Sequence, residues 1–362
     1  MKAVILAGRE AARLRPLTLN TPKAMVPVLN IPLLEHVIRH LTRHQVKDII
    51  LTQGNLGQDI EDYFGDGSQL GLKLSYTIED TPLGTAGAVK NAARYLDETF
   101  LVLNGDIFTD LNLKEMISFH RERRAKVTIA LTPVADPTSY GLIETTHQGK
   151  VTRFLEKPSP NEVTTKMINA GTYILEPDIL EYIPPQTNFS FERQLFPQLL
   201  DCGEPIYAYP SSGYWIDIGS PEKYLKLHRD LLSGRSNQYT PTPGEEATVG
   251  EGSFIHPTAQ IRGPVLVGNN CTIGSKAKLV GPVVIGSGGT ISEEVVIEDS
   301  LIWHRVYIGP KARVKGSIIA NNCHLDDNCR VTDGSVLGDN VTIAKSYRLK
   351  PGSQIWPGEK AG

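Results

Sequence analysis

The chain has 362 residues, of which 40% are hydrophobic and 21% are charged, and its formal net charge is -3. This length predicts two domains, and the balanced charge gives no support for nucleic acid or a membrane surface as a partner. No segment has the pattern of a membrane span or a signal peptide. The cysteines form no CxxC pair and are too few for a disulfide framework, so we predict a cytoplasmic protein.

Residues 1–232 alternate short apolar strands with amphipathic helices. Helices are predicted at 33–45 and 87–96, and strands at 2–6, 48–52, 73–76, 100–103, 127–132, 171–175 and 207–209. Near-continuous apolar strands separated by helices indicate a mainly parallel sheet, covered on both faces. We therefore predict a Rossmann-like α/β domain over 1–232, with ligands bound at the carboxyl ends of its strands.

From residue 249 aliphatic residues recur every six positions, and the phase slips by one residue after Ile297 and again after Val314. A period of six fits neither a helix nor a hairpin, but it fits a three-sided solenoid of short parallel strands. The pattern resembles the hexapeptide-repeat left-handed β-helix. We predict a linker over 233–247, the β-helix over 248–345 and a C-terminal tail over 346–362. The faces and ends of such a solenoid are docking surfaces, so we also predict a homo-oligomer.

The first strand runs into Leu6-Ala7-Gly8, and Arg13 and Lys23 follow. A loop that leaves a parallel strand can offer backbone N–H groups to phosphate, and the two cations could neutralise a triphosphate. The alternative is a basic surface loop.

A second motif, Pro82-Leu83-Gly84-Thr85, reads from its residues alone as a turn and helix cap, with Thr85 as the N-cap.

Two aspartates, Asp106 and Asp217, each follow a predicted strand. A strand-end carboxylate can present an oxygen to Mg²⁺, although it can also only cap a helix. Asp110 is interpreted as a helix cap.

A fourth region contains Tyr140-Gly141, the turn Glu156-Lys157-Pro158, and Asn169. The Glu-Lys-Pro segment by itself is typical of an exposed turn.

Together these motifs resemble the NDP-sugar pyrophosphorylases, a nucleotidyltransferase family whose signature is LAGGxGTRLRPLT followed by PKxMxP. The resemblance implies that Leu6, Ala7, Gly8, Pro82, Gly84 and Thr85 bind the nucleotide. It implies that Arg13, Lys23, Asp106 and Lys157 are catalytic, with Asp106 and Asp217 as ligands of one Mg²⁺. It assigns Lys157 to the sugar phosphate and Glu156 and Asn169 to the hexose, with Tyr140 and Gly141 lining the same pocket.

Within this family the chain resembles most the mannose-1-phosphate guanylyltransferases, which implies GTP and mannose 1-phosphate as substrates. Glucose-1-phosphate enzymes that use UTP or dTTP share much of the pattern and are the alternative. The signature is altered at Arg9, Ala11 and Ala12, where the family has Gly, Gly and Thr. A non-catalytic regulator that binds a sugar nucleotide is therefore a further hypothesis.

Two histidine patterns are set aside. His36, His40 and His44 are spaced by four residues, but without an HExxH glutamate they predict a solvated helix face. His304 and His324 lie in the solenoid, where an acyltransferase role is the weaker alternative to surface histidines.

Overall fold

The computed structural model describes residues 1–8, 12–54, 57–239 and 247–362. The chain divides into two compact units, and the division does not follow the sequence order. The first unit contains Met1–Arg9 and Leu34–Trp215, and the second contains Glu10–Leu33 and Ile216–Gly362.

A nine-stranded mixed sheet forms the centre of the first unit. Its strands are β1 (Lys2–Leu6), β2 (Asp48–Gln53), β3 (Lys73–Ile78), β4 (Phe100–Asn104), β5 (Val127–Pro133), β6 (Gly141–Thr145), β7 (Val151–Glu156), β8 (Met167–Leu175) and β9 (Ile206–Pro210). The order is β7-β6-β8-β4-β1-β2-β3, and β5 pairs with both β8 and β9. Strands β3, β2, β1 and β4 are mutually parallel, whereas β8 runs antiparallel to β4 and β5.

The sheet is buried because its central strands are apolar on both faces. Ala3, Val4 and Ile5 of β1 are fully buried, as is typical of a strand with packed helices on each side. The predicted α/β architecture is confirmed, and each predicted strand is present with its ends shifted by a few residues. Strands β6 and β7 were not predicted, because exposed polar residues such as Thr152 and Arg153 interrupt their apolar pattern.

The helices are α1 (Leu33–Arg43), α2 (Gln58–Phe64), α3 (Gly84–Asn91), α4 (Leu113–Arg123), α5 (Phe196–Asp201) and α6 (Pro221–Leu232). Helix α3 lies against β1, α4 against β5 and β9, and α5 against β7. Short strands lie at Pro27–Val28, Ile31–Pro32, Ile107–Thr109 and Trp215–Asp217. Shorter helical turns lie at Ala12–Leu14, Lys23–Met25, Ser68–Leu70, Ala93–Tyr95, Pro160–Glu162, Pro177–Tyr182 and Phe191–Leu195.

The second unit contains three parallel sheets of very short strands, one for each side of a solenoid. Side one consists of Ala247–Val249, Val265–Val267, Val283–Ile285, Leu301–Ile302, Ile318–Ile319, Val336–Leu337 and Gln354–Ile355. Side two consists of Phe254–Ile255, Thr272–Ile273, Thr290–Ile291, Tyr307–Ile308, His324–Leu325, Thr342–Ile343 and Lys360–Ala361. Side three consists of Gln260–Arg262, Lys278–Val280, Val296–Glu298, Arg313–Lys315 and Arg330–Val331.

The phase slips in the sequence period have a structural cause. Ile255 pairs with Ile273, 18 residues on, whereas Ile297 pairs with Val314, 17 residues on. Both slips occur where the chain passes from side three to side one, so this corner is one residue shorter in two coils. The aliphatic residues still point inward and form one continuous core, so the predicted β-helix is confirmed.

The stretch predicted as a tail contributes two further strands, Gln354–Ile355 and Lys360–Ala361, which pair with the preceding coil. Of the predicted linker, residues 240–246 lie outside the described part of the chain.

Among the described residues, no helix is long and apolar enough to cross a membrane.

Candidate active site

Three backbone segments meet tightly at the carboxyl end of β1. Ala7 N donates to Thr52 O over 3.0 Å, and Gly105 N donates to Leu6 O over 3.0 Å. A Cβ on Gly8 would lie 2.8 Å from the backbone nitrogen of Gly54, so no side chain fits there. The predicted nucleotide loop therefore begins where parallel strands end, as the fold requires of a ligand site.

The Pro82–Thr85 motif is fixed by the chain that lies over it. Gly84 has φ +73°, and a Cβ there would lie 2.7 Å from Phe189 O, so only glycine fits. Asn188 Nδ2 donates to Pro82 O over 2.9 Å. The N-cap of α3 is Leu83, so the interpretation of Thr85 as N-cap is wrong.

Thr85 is instead one end of a partly buried chain of hydrogen bonds. Its Oγ1 donates to Glu192 Oε2 over 3.1 Å, and Tyr173 Oη donates to Glu192 Oε1 over 3.2 Å. Asn169 Nδ2 in turn donates to Tyr173 Oη over 2.8 Å, while Asn169 Oδ1 accepts from Gly171 N. Two residues predicted to contact different substrates, Thr85 and Asn169, are thus held through Glu192.

The hairpin of β6 and β7 brings the other predicted sugar-site residues together. Gly141 is opposite Glu156 in the β6–β7 pair, and Lys157 N donates to Tyr140 O over 2.9 Å. The Tyr140 ring contacts Trp215, with the ring centroids 5.7 Å apart.

Lys157 is exposed and has φ +52°, which is uncommon for a residue with a side chain. Backbone strain of this kind costs on the order of 1 kcal/mol and clusters at functional sites.

Asp106 lies in the turn between β4 and the strand Ile107–Thr109 and is half-buried. The neighbouring Asn104 is buried, and its Oδ1 has no hydrogen-bond partner among the described residues. A buried acceptor of this kind is costly unless it is satisfied.

Asp217 is surrounded by basic side chains, all within the second unit. Its Oδ1 lies 3.4 Å from Lys23 Nζ and its Oδ2 lies 3.4 Å from Lys223 Nζ. A Cβ on Gly219 would lie 2.9 Å from Asp217 Oδ2 and 3.1 Å from Nη2 of Arg13. We call Arg13, Lys23, Lys223 and Asp217 the cation cluster. Basic side chains gathered beside one carboxylate are suited to a phosphate-bearing anion.

Helix α6 carries one part of the cation cluster and packs on the β-helix. It begins after Ser220, whose hydroxyl accepts from Lys223 N. Tyr224, one residue later, is fully buried and accepts a hydrogen bond from Trp303 Nε1 of the solenoid over 3.1 Å. At the far end of the helix, Arg229 Nε donates to Asp299 Oδ1 over 2.7 Å.

The segment after Lys23 is tied to the same surface. Tyr224 Oη donates to Pro27 O, and Asn30 Nδ2 donates to Ile285 O of the β-helix over 3.0 Å. His228 Nε2 accepts from Leu29 N over 3.2 Å, so its proton lies on Nδ1, which contacts Tyr224 O. The β-helix thus braces both segments that carry Lys23 and Asp217.

Two further interpretations need correction. The N-cap of α4 is Asn112, whose side chain accepts from Glu115 N, so Asp110 is not the cap. The predicted solvated face of α1 is also wrong, because His40 is only 3% exposed. Burial, with a smaller effect from His44, lowers the pKa of His40 to about 4.

The altered phosphate loop is partly visible. Ala12, which stands where the family has Thr, starts a helical turn. Arg9 and Ala11 lie outside the described residues.

In the solenoid, His304 is half-buried and Nδ1 accepts from Ser287 N, whereas His324 is exposed and stacks on Tyr307. No group of three or more metal-ligating side chains occurs within the ranges that the structure describes.

Sequence reasoning missed Lys223, Glu192 and Trp215 as site residues. Trp215 lies two residues before Asp217, and this proximity was the available signal for it. Lys223 lies on an ordinary amphipathic helix, and nothing in its spacing distinguishes it.

Residues 2–234 match the profile described as nucleotidyl transferase, and residues 244–349 match that of the EIF2B subunit epsilon LbH domain. A mannose-1-phosphate guanylyltransferase of Mycobacterium tuberculosis is 37% identical over 75% of this chain and 76% of its own length. A mannose-1-phosphate guanyltransferase of Yarrowia lipolytica is 37% identical over 97% of this chain and 95% of its own. A UTP–glucose-1-phosphate uridylyltransferase of Synechocystis is 34% identical over 88% of this chain and 87% of its own length.

Among solved structures, HddC from Yersinia pseudotuberculosis, complexed with GMP-PN, is similar with a TM-score of 0.55 and 33% identity. The similarity covers 62% of this chain and 97% of HddC. The second profile describes a left-handed β-helix, so the match indicates that the solenoid is left-handed. The chain belongs to the nucleotidyl transferase family, as an NDP-sugar pyrophosphorylase that carries a left-handed β-helix.

Proposed function

We propose that this protein is a mannose-1-phosphate guanylyltransferase, which forms GDP-mannose and pyrophosphate from GTP and mannose 1-phosphate. The observation that carries the proposal is the cation cluster, in which Arg13, Lys23 and Lys223 gather around Asp217. The choice of GTP and mannose is supported by the two guanylyltransferase relatives described above.

In the proposed reaction an ionised phosphate oxygen of the sugar attacks the α-phosphorus of GTP. A new phosphorus–oxygen bond forms, and the bond from the α-phosphorus to the bridging oxygen breaks. Pyrophosphate leaves with that electron pair. Because the nucleophile is already ionised, no general base is needed, and the protein contributes positioning and charge stabilisation.

The residues divide these tasks. We assign Arg13 and Lys23 to the charge that develops on pyrophosphate, and Lys157 to the sugar phosphate. Leu6, Ala7, Gly8, Pro82, Gly84 and Thr85 are assigned to the nucleotide. Tyr140, Gly141, Glu156 and Asn169 are assigned to the sugar.

We propose Asp106 and Asp217 as the ligands of Mg²⁺. Their carboxylate oxygens are the donors that this hard cation takes. The ion, when bound, supplies positive charge to the phosphates of both reactants. Lys23 and Lys223 hold the Asp217 carboxylate in place.

The test is a panel of GTP, ATP, UTP and dTTP against mannose 1-phosphate and glucose 1-phosphate, with Mg²⁺ and a pyrophosphate readout. We expect the highest kcat/KM for GTP with mannose 1-phosphate. Preference for UTP or dTTP with glucose 1-phosphate would select the second candidate, which the Synechocystis relative favours. Binding of GDP-mannose without turnover of any pair would select the non-catalytic regulator, which the loop residues Arg9, Ala11 and Ala12 motivate.

We further propose a cytoplasmic homo-oligomer that assembles through the β-helix. Phe254 of side two is 56% exposed, which is unusual for a large apolar side chain and supports a contact surface there. Light scattering after size exclusion tests this. A mass near 39.7 kDa at micromolar concentration would contradict it.

A further inference from the structure

Side three of the β-helix carries a column of stacked arginines. Arg313 pairs with Arg330 in the parallel register, and Arg330 pairs with Arg348 of the next coil. Successive strands of a sheet are about 4.8 Å apart, so the three side chains leave the surface side by side. All three residues are exposed. We call these residues the arginine ladder.

No acidic residue stands in the outward column that carries the arginine ladder, which is Gln260, Lys278, Val296, Arg313, Arg330 and Arg348. Across the parts of the chain that the structure describes, none of its three guanidinium groups forms an ion pair. The cations Lys315 and Lys350 lie two residues beyond Arg313 and Arg348. Lys315 has two acidic neighbours, Asp333 at 3.8 Å and its strand partner Glu298.

The arrangement is unfavourable without an anion. Like charges directly opposite each other on paired strands repel, and this chain concentrates them although its net charge is -3. The outward column of side two shows that the fold does not demand basic residues. That column is Phe254, Thr272, Thr290, Tyr307, His324, Thr342 and Lys360.

We propose that the arginine ladder is a binding site for a diphosphate group. Guanidinium groups bind phosphate oxygens through two parallel N–H donors, which makes them suited to planar recognition of such anions. Three groups spaced by one strand separation span about 10 Å, enough for two linked phosphates to contact all of them. Monovalent anions would bridge the column less well, since each satisfies only one neighbouring pair.

This site is separate from the cation cluster in residues and in chemistry. The cation cluster contains a carboxylate, Asp217, whereas the arginine ladder contains none. The diphosphate could be free pyrophosphate or part of a nucleotide, and both carry the same two phosphates.

The experiment is equilibrium dialysis without metal, with labelled pyrophosphate in one arm and GDP in the other. Wild-type protein is compared with R330Q and with R262Q. Arg262 is an exposed arginine on the same side whose strand partner is Val280, so it is the matched control. We expect wild type and R262Q to bind one more equivalent of diphosphate than R330Q. If the site prefers free pyrophosphate, the extra equivalent appears only in that arm.

A second measurement separates binding from folding. Without diphosphate at low salt, R330Q should melt at the same temperature as wild type or higher, because the central like charge is gone. With saturating pyrophosphate the melting temperature of wild type should rise further than that of R330Q. Equal stoichiometry and equal thermal shifts in wild type and R330Q would overturn the proposal. An equal loss in R262Q would overturn it too, since general surface charge would then explain the binding.

Discussion

The two compact units fix their side chains in different ways. In the first, site residues stand at the ends of unlike strands and are held by specific contacts, such as the hydrogen bonds that join Thr85, Glu192 and Tyr173. In the second, repeated coils bury one aliphatic residue after another and leave outward positions free to vary. Burial in the repeated coils stabilises the second unit, while its charged groups lie at outward positions or on segments that pack against the coils.

The cation cluster lies on segments that pack against the coils. Lys23 and Asp217 fall within the nucleotidyl transferase match, yet they belong to the same compact unit as the solenoid. Tyr224, which contacts both Trp303 and Pro27, connects their segments to it. The β-helix therefore supports the segments that carry residues we propose as catalytic.

The largest effect is expected from the two aspartates, one in each unit. D106N and D217N should each lower kcat/KM by about 100-fold to 1,000-fold and raise the Mg²⁺ concentration needed for half-maximal rate. Pyrophosphate release over a Mg²⁺ titration measures both. Asp299, which pairs with Arg229, is the control, and D299N should leave the Mg²⁺ dependence unchanged. If D106N alone is inactive, the second unit supplies no essential carboxylate.

The first unit should lose stability in acid through His40. Its pKa is about 4 in the folded state against 6.5 for the free side chain, so the unfolded state binds the proton more readily. Stability is fully present above pH 6.5 and falls as pH drops towards 4, by up to about 3 kcal/mol. Urea unfolding of wild type and H40Q between pH 7.5 and 4.5 measures the difference. The control is H147Q, because His147 is exposed. If the free energy of unfolding falls with pH equally in wild type and H40Q, His40 is not the cause of the acid sensitivity.

The close contact at Gly84 can be separated from its backbone conformation. Gly84 and Gly65 both have positive φ, but only at Gly84 would a Cβ meet another atom, Phe189 O at 2.7 Å. G65A should cost about 1 kcal/mol through strain alone, whereas G84A should cost about 2–4 kcal/mol and raise the KM for GTP. Chemical denaturation and steady-state kinetics measure these. Similar losses of unfolding free energy in the two variants would show that the backbone at Phe189 moves away to make room for the new Cβ.

The smallest effect is expected from the hydrogen bond that joins Trp303 of the β-helix to Tyr224 of α6. W303F removes the hydrogen bond to Tyr224 Oη, and we expect kcat/KM to fall about fivefold with a loss of about 1 kcal/mol in the free energy of unfolding. W356F is the control, because Trp356 is a solenoid tryptophan that is 40% exposed. The Trp303–Tyr224 contact acts on catalysis if kcat/KM of W303F, but not of W356F, falls at a temperature where both variants are fully folded.

The sequence predicts most of the fold because both units repeat a simple pattern. Apolar strands between helices indicate the sheet, and the six-residue period indicates the solenoid even though one corner is shorter after Ile297 and Val314. The sequence pattern did not predict strands β6 and β7, because partly exposed strands have no continuous apolar run. His40 was misjudged because a helix face of histidines looks polar, although its burial depends on what packs over it.

The site was predictable where it coincides with the family motif and not elsewhere. Asp217 follows a recognisable strand, but Lys223 enters the site only because α6 starts at Ser220 and points its first turn at that carboxylate. The hydrogen bond from Trp303 to Tyr224 could not be predicted either, since Trp303 occupies a repeat position that holds glycine in four other coils, and the sequence does not indicate what it contacts.

The most direct test is a single-turnover experiment on K23M with Mg²⁺, GTP and mannose 1-phosphate. In this variant Asp217 keeps Lys223 as its partner, so we expect the fold to persist while the charge of Lys23 is lost. We predict pyrophosphate formation at least about 100-fold slower than wild type, with a melting temperature within a few degrees. A rate within twofold of wild type would contradict the claim that the β-helix unit supplies catalytic charge.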